Sequence, residues 1–231
     1  MCYSFKTSLL SYSLGMIAGI FAICTRQIVL GVLILTYAQM QFAELLIWHG
    51  IDTNNDKLNK FGTSYGKYLL ATHNIAIGLG IILSIIFVSK RQLKIVDFIP
   101  LGIGLIFFLF ILLFYYLPKS YPDMTFPLDP HCKDKTDRCQ NPNNRLSWSW
   151  PHNWYLSGYL ISFVILLIYV KPKNSKIWVS SVFTLTLIAT AIYNPKVIGS
   201  VWCFSAAVIS PILVLLNYYI IKNMNSKDIL T

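Results

Sequence analysis

Charge is scarce in this chain of 231 residues, of which 12% are Asp, Glu, Lys or Arg, where soluble domains carry about a quarter. Acid is scarcer still: nine residues are acidic, and Glu44 is the lone glutamate. No polar stretch is left over for a separate soluble domain. No basic helix interleaved with aromatics offers a groove-reading face either, so the net charge of +10 does not point to nucleic acid. A phosphate-cradling glycine loop, a Gly-x-Ser-x-Gly elbow, a His-Glu-x-x-His pair and an Asn-x-Ser/Thr acceptor are all missing. Met1–Lys6 carries one positive charge and no convincing small-residue cleavage pattern, so the first apolar run reads as an uncleaved span rather than a signal peptide.

Apolar length is abundant instead. Hydrophobic residues make up 55% of the chain, and the mean hydropathy is +0.58. A helix needs about 20 apolar residues to cross the hydrocarbon core. Residues 8–24, 28–49, 67–89, 95–117, 153–170, 177–193 and 197–221 approach or meet that length. The reading is all-α, a polytopic transmembrane helix bundle of about seven spans, with residues 1–231 as one domain and the lipid bilayer as partner. Residues 51–66 and 119–145, rich in Asn, Asp, Lys and Pro, read as exposed irregular loops. The stretch RLSWSWPHNWY (145–155) reads as an interfacial hairpin at headgroup level, or as a lid. Pro100 and Pro211 are candidate helix kinks.

Seven spans put the termini on opposite sides. Side one holds the N-terminus, the loops 50–66 and 118–152, and the 194–196 turn; side two holds the 25–27 turn, the loops 90–94 and 171–176, and the C-terminal tail. Basic residues divide ten to nine, but side two concentrates its nine and mixes in almost no acid. The positive-inside bias then places the N-terminus and the 118–152 loop on the exoplasmic or lumenal side and the C-terminus in the cytosol. Cys132 and Cys139 in HCKDKTDRC fit this, as a disulfide in an oxidising compartment. Two free thiols, or a metal site with His131, are the rival readings.

On that topology the unusual residues gather in the side-one leaflet. Tyr37, Gln41, Glu44 and Trp48 follow helical steps and form one stripe. His73 and Asn74 enter from the third span, His152 from the fifth, and Trp202 and Cys203 from the seventh. A carboxylate facing lipid is expensive, so Glu44 belongs in the bundle interior. Three readings stand: a polar clamp joining helices, a ligand, proton or ion site using Glu44 and His73, and a metal-dependent hydrolase. The hydrolase would use His49, His73, His152 and Glu44, which are zinc-ligand types. Alkaline-ceramidase-like amidases with such a set carry paired histidines in the last span, and 197–221 has none. That span also lacks lysine, which excludes a retinal Schiff base. A three-one-three transporter arrangement fits the span count, without a shared Pro or Asn pattern between halves.

Three short pieces carry a resemblance: Met1-Cys-Tyr-Ser4, the QMQFAELLIW run, and Gly199-Ser-Val-Trp-Cys-Phe204. Together they resemble a family of uncharacterised polytopic membrane proteins of large DNA viruses and some algae, whose chains begin Met-Cys-Trp-Ser. Tyr3 departs from that pattern. The resemblance implies no activity, but it groups Cys2, Glu44, Trp48, Trp202 and Cys203 in the side-one layer.

Overall fold

A computed structural model describes residues 4–117, 123–127, 146–147 and 198–223. The first helix, α1, is Phe5–Cys24, started by Ser4, whose Oγ accepts the Thr7 N–H at 3.3 Å. The chain reverses through Arg26, in the left-handed region at φ 65°, and α2 runs Ile28–Asp52. After Asn54 (φ 52°), the Asn55 side chain caps α3, Asp56–Ser84, by accepting the Leu58 N–H at 3.2 Å. A π turn, Ile85–Ser89, extends α3 before Lys90 turns the chain at φ 50°. A 3-10 turn at Ile95–Phe98 leads into α4, Ile99–Ile111, which ends in a second π turn at Leu112–Tyr116. Two-residue strands β1 (Phe126–Pro127) and β2 (Leu146–Ser147) pair antiparallel, Phe126 opposite Ser147. The helix α5, Ile198–Asn223, contains Pro211.

Apart from that bridge the described architecture is all-helical. Among the described residues, four segments are long and apolar enough to cross a membrane: Phe5–Cys24, Ile28–Asp52, Ala71–Ser89 and Ile95–Phe114. A shorter apolar stretch, Val208–Tyr219, lies on α5. The expected spans at 153–170 and 177–193 lie outside the described residues, as do Cys132, Cys139 and His152.

Two expectations need correction. Residues 51–66 are not an irregular loop: α2 continues to Asp52 and α3 begins at Asp56, eleven residues before the expected span. The Asn55 cap and Asp56 in the first turn satisfy the free N–H groups and the dipole of a helix start, which outweighs the polar composition. Pro100 is not a kink. It sits at the first positions of α4, where its missing N–H is no loss.

The second helix is the centre of the bundle. Its apolar window is 72% buried, against 33% for α1 and 22% for Ile95–Phe114. Glycines set its approaches. A Cβ on Gly31 would lie 2.9 Å from the Gly19 carbonyl oxygen, and one on Gly62 would lie 2.9 Å from that of Ala43. At the other end of α3, a Cβ on Gly80 would lie 3.0 Å from the Val29 Cα. These pairings run α3 antiparallel to α2, so the 25–27 and 90–94 turns share side two. Small residues let helix backbones approach where lipid tails supply no hydrophobic drive. The closest crossing joins α3 to α4: a Cβ on Gly78 would sit 2.5 Å from the Leu101 Cα, and one on Gly104 would sit 2.7 Å from the Asn74 carbonyl oxygen.

Outward faces are apolar, with Leu10, Ile17, Ile106, Phe114, Ile212 and Tyr219 all more than half exposed. That is the surface of a protein in lipid, and the architecture is that of an integral membrane protein. The Gly78 crossing gives a direct test. Gly78→Val should cost about 1–3 kcal/mol or more through backbone overpacking. Gly102→Ala, with nothing within 4 Å, should leave thermal stability in detergent unchanged or raised; equal losses would contradict this packing.

Candidate functional site

A polar stripe lies on the buried face of α2. Tyr37 and Trp48 are each 3% exposed, and Gln41 and Glu44 are fully buried. Four residues at helical spacing on the most buried helix have nowhere to face but protein. Apolar neighbours enclose them. Tyr37 belongs to a cluster with Leu33, Ile34, Ile77 and Ile81, and Trp48 to one with Met40, Ala43, Ile47, Ala71 and Ile111.

Each adjoining helix contributes polar partners. From α1, the Ser11 Oγ lies 2.7 Å from the Gln41 Oε1 and donates to it; its alternative acceptor is the Ser8 carbonyl at 3.1 Å. Ser8 and Ser11 are both fully buried. From α3, His73 meets the Tyr37 ring edge-on at 4.8 Å between centroids, and His73 and Asn74 are fully buried. Nearer the rim, the Tyr65 hydroxyl donates to the Gln39 Oε1 at 3.0 Å, and the Gln39 Nε2 donates to the Met16 Sδ at 3.4 Å. Burial, reinforced by Tyr12, pushes the Tyr65 phenol above its ordinary pKa. The Trp48 Nε1–H and the Ser8 Oγ have no hydrogen-bond partner among the described residues.

This arrangement is a column rather than a flat layer. Because α3 starts early, His73 sits level with Tyr37, two turns of α2 (about 10 Å) deeper than Glu44. His49 leaves the column: it is exposed at the rim and packs on Phe5 at 5.4 Å. Among the described residues no three His, Cys, Asp or Glu groups converge as a metal site. Trp202 and Cys203 fall on α5, about 22 Å along it from Asn217 at side two.

Three features were invisible in the sequence reading. The Asn59 carboxamide pairs with the backbone of Thr125 on both sides: its Nδ2 donates to the Thr125 carbonyl at 3.0 Å, and its Oδ1 accepts the Thr125 N–H at 3.0 Å. Thr63, one turn on, bridges the Asn59 Oδ1 (3.2 Å) and the Thr125 hydroxyl (3.0 Å). This latch holds β1 onto α3, and β2 follows, carrying Leu146 fully buried into the Trp48 cluster. A cleft of about 190 Å³ beside the latch is lined by Gly50, Ile51, Asn54, Asp56, Asn59, Phe126 and Pro127. At side two, the Asn217 Nδ2 donates to the Gln27 Oε1 at 2.7 Å, and the Gln27 Nε2 donates to the Val214 carbonyl at 3.2 Å, tying α5 to the α1–α2 turn. The Asn59–Thr63 spacing marks a polar face on α3, but nothing in it names Thr125 as the partner.

Set beside known proteins, the chain matches no family model, no curated protein and no solved structure.

Proposed function

We propose that this is a structural or accessory component of a membrane, whose buried Gln41–Glu44–His73 column clamps helices together rather than carrying a solute. The observation that carries this reading is the 2.7 Å Ser11–Gln41 bond between two fully buried groups, in a bundle whose helices cross at glycine contact. Hydrogen bonds of this kind between transmembrane helices each contribute about 1 kcal/mol, and a stripe of them fixes rotation as well as contact. Neither Glu44, Gln41, Tyr37 nor His73 lines the rim cleft. The resemblance to the Met-Cys-Trp-Ser family accords with a membrane component and adds no chemistry.

The expected orientation belongs to the same proposal. Among the described residues, side two carries Arg26, Lys90, Arg91, Lys94 and Lys222 against Asp97 alone, while side one sets Lys6, Lys57, Lys60 and Lys67 against Asp52, Asp56 and Asp123. The clustering of Arg26, Lys90, Arg91 and Lys94 within two short turns supports a cytosolic side two. A protease-sensitive tag at the C-terminus should stay protected in sealed cells; cleavage from outside would reverse the assignment.

Glu44→Gln tests the clamp. In proteoliposomes the wild-type chain should conduct no protons and transport no ion. The variant, which keeps shape and hydrogen-bonding capacity, should fold within about 1 kcal/mol of wild type. A pH-gradient-driven flux in wild type that the variant abolishes while remaining folded would establish a transport role and overturn the reading.

A further inference from the structure

We propose that side two carries a binding surface for the headgroups of anionic phospholipids, centred on Lys90 and Lys94 with Arg26 on the neighbouring turn. The topology brings these cations to one end. The α1–α2 and α3–α4 turns share it through the antiparallel packing of α2 and α3, and the Gln27–Asn217 bond brings the end of α5, with Lys222, to the same level.

The one described acid at this end, Asp97, is already occupied. Arg91 holds Asp97 through two bonds, Nη1 to Oδ2 at 2.7 Å and Nη2 to Oδ1 at 2.6 Å, and the Lys94 N–H adds a third at 2.7 Å. Arg26, Lys90, Lys94 and Lys222 are exposed and make no ion pair among the described residues. Backbone conformation adds an independent sign. Arg26 and Lys90 each occupy the left-handed position that ends a helix, which glycine fills most readily. Among the described residues, two of the three non-glycine residues with positive φ are therefore cations at side two.

The apolar surroundings choose the occupant. Phe87 (62% exposed), Ile95 (92%) and Val96 (51%) flank the two lysines, beside the also exposed Ile86 and Phe98. A bare phosphate or an acidic peptide has no use for such a collar. A lipid does: its phosphodiester meets the ammonium groups while its acyl chains lie on the aromatic and branched side chains below. Each cation near an anionic surface contributes about fivefold to the preference for it.

The experiment uses the full chain in mixed bilayers of phosphatidylglycerol and phosphatidylcholine, extracted and weighed with its retained lipids by native mass spectrometry. Wild type should enrich phosphatidylglycerol by about tenfold or more. An R26Q/K90Q/K94Q variant, altered only at exposed turn residues, should fall to near parity at unchanged melting temperature. R91Q/D97N, which removes the closed pair together and leaves no freed carboxylate beside Lys94, should keep the enrichment. Equal enrichment in wild type and triple variant would overturn the proposal, as would an R91Q/D97N loss matching the triple variant's, which would trace the effect to the turn's fold rather than to its free cations. Displacement of the lipid by free glycerol phosphate at comparable concentration would assign the site to phosphate rather than to a lipid.

Discussion

A carboxylate and a carboxamide on one helix face cannot face hydrocarbon, and that constraint organises the bundle. Placing an ionisable group in a lipid-facing position costs several kcal/mol, so the face of α2 carrying Gln41 and Glu44 has to be covered from both sides. Covering it makes α2 the central helix, with α1 and α3 on its flanks and α5 closing at side two. The glycines follow from the same demand. Buried polar groups need partners at hydrogen-bond distance, and Gly19, Gly31 and Gly62 let the neighbouring backbones come that close.

The two ends of the bundle solve different problems. At side one the Asn59 latch pins a short bridged segment onto α3 and drives Leu146 against the Trp48 cluster, sealing apolar surface that would otherwise meet the rim. At side two there is no comparable cover among the described residues. Short turns, a Gln27–Asn217 clasp and an Arg91–Asp97 pair finish the helices, and surplus cations stand beside exposed apolar side chains. One end is closed by protein, and the other is built to sit against headgroups.

Much of this was legible in the residues, and the limits have physical causes. Hydropathy located α1, α2 and the helical segment 95–116 around α4 to within a few residues, because lipid imposes a length and a composition together. The stripe Tyr37–Gln41–Glu44–Trp48 was legible because helical period and polarity coincide, and its burial followed from cost alone. The start of α3 was not, since NNDKLNKFG is polar enough to resemble a loop, and only the Asn55 cap betrays a helix. That early start carries His73 deeper into the bundle, level with Tyr37. The latch was hidden for a different reason. Asn59 reads the backbone of Thr125, sixty-six residues away, and backbone carries no sequence signature.

The central claim is that the column on α2 is packed protein and not a water-lined path. It is tested most directly by accessibility, in a chain whose five cysteines are replaced by alanine. Single cysteines at positions 41 and 49, offered a membrane-impermeant thiol reagent in the folded protein, should separate completely. His49→Cys at the exposed rim should react within minutes, and Gln41→Cys should react only after denaturation. Comparable labelling at both positions in protein that remains folded would show water reaching Gln41, and would contradict the account.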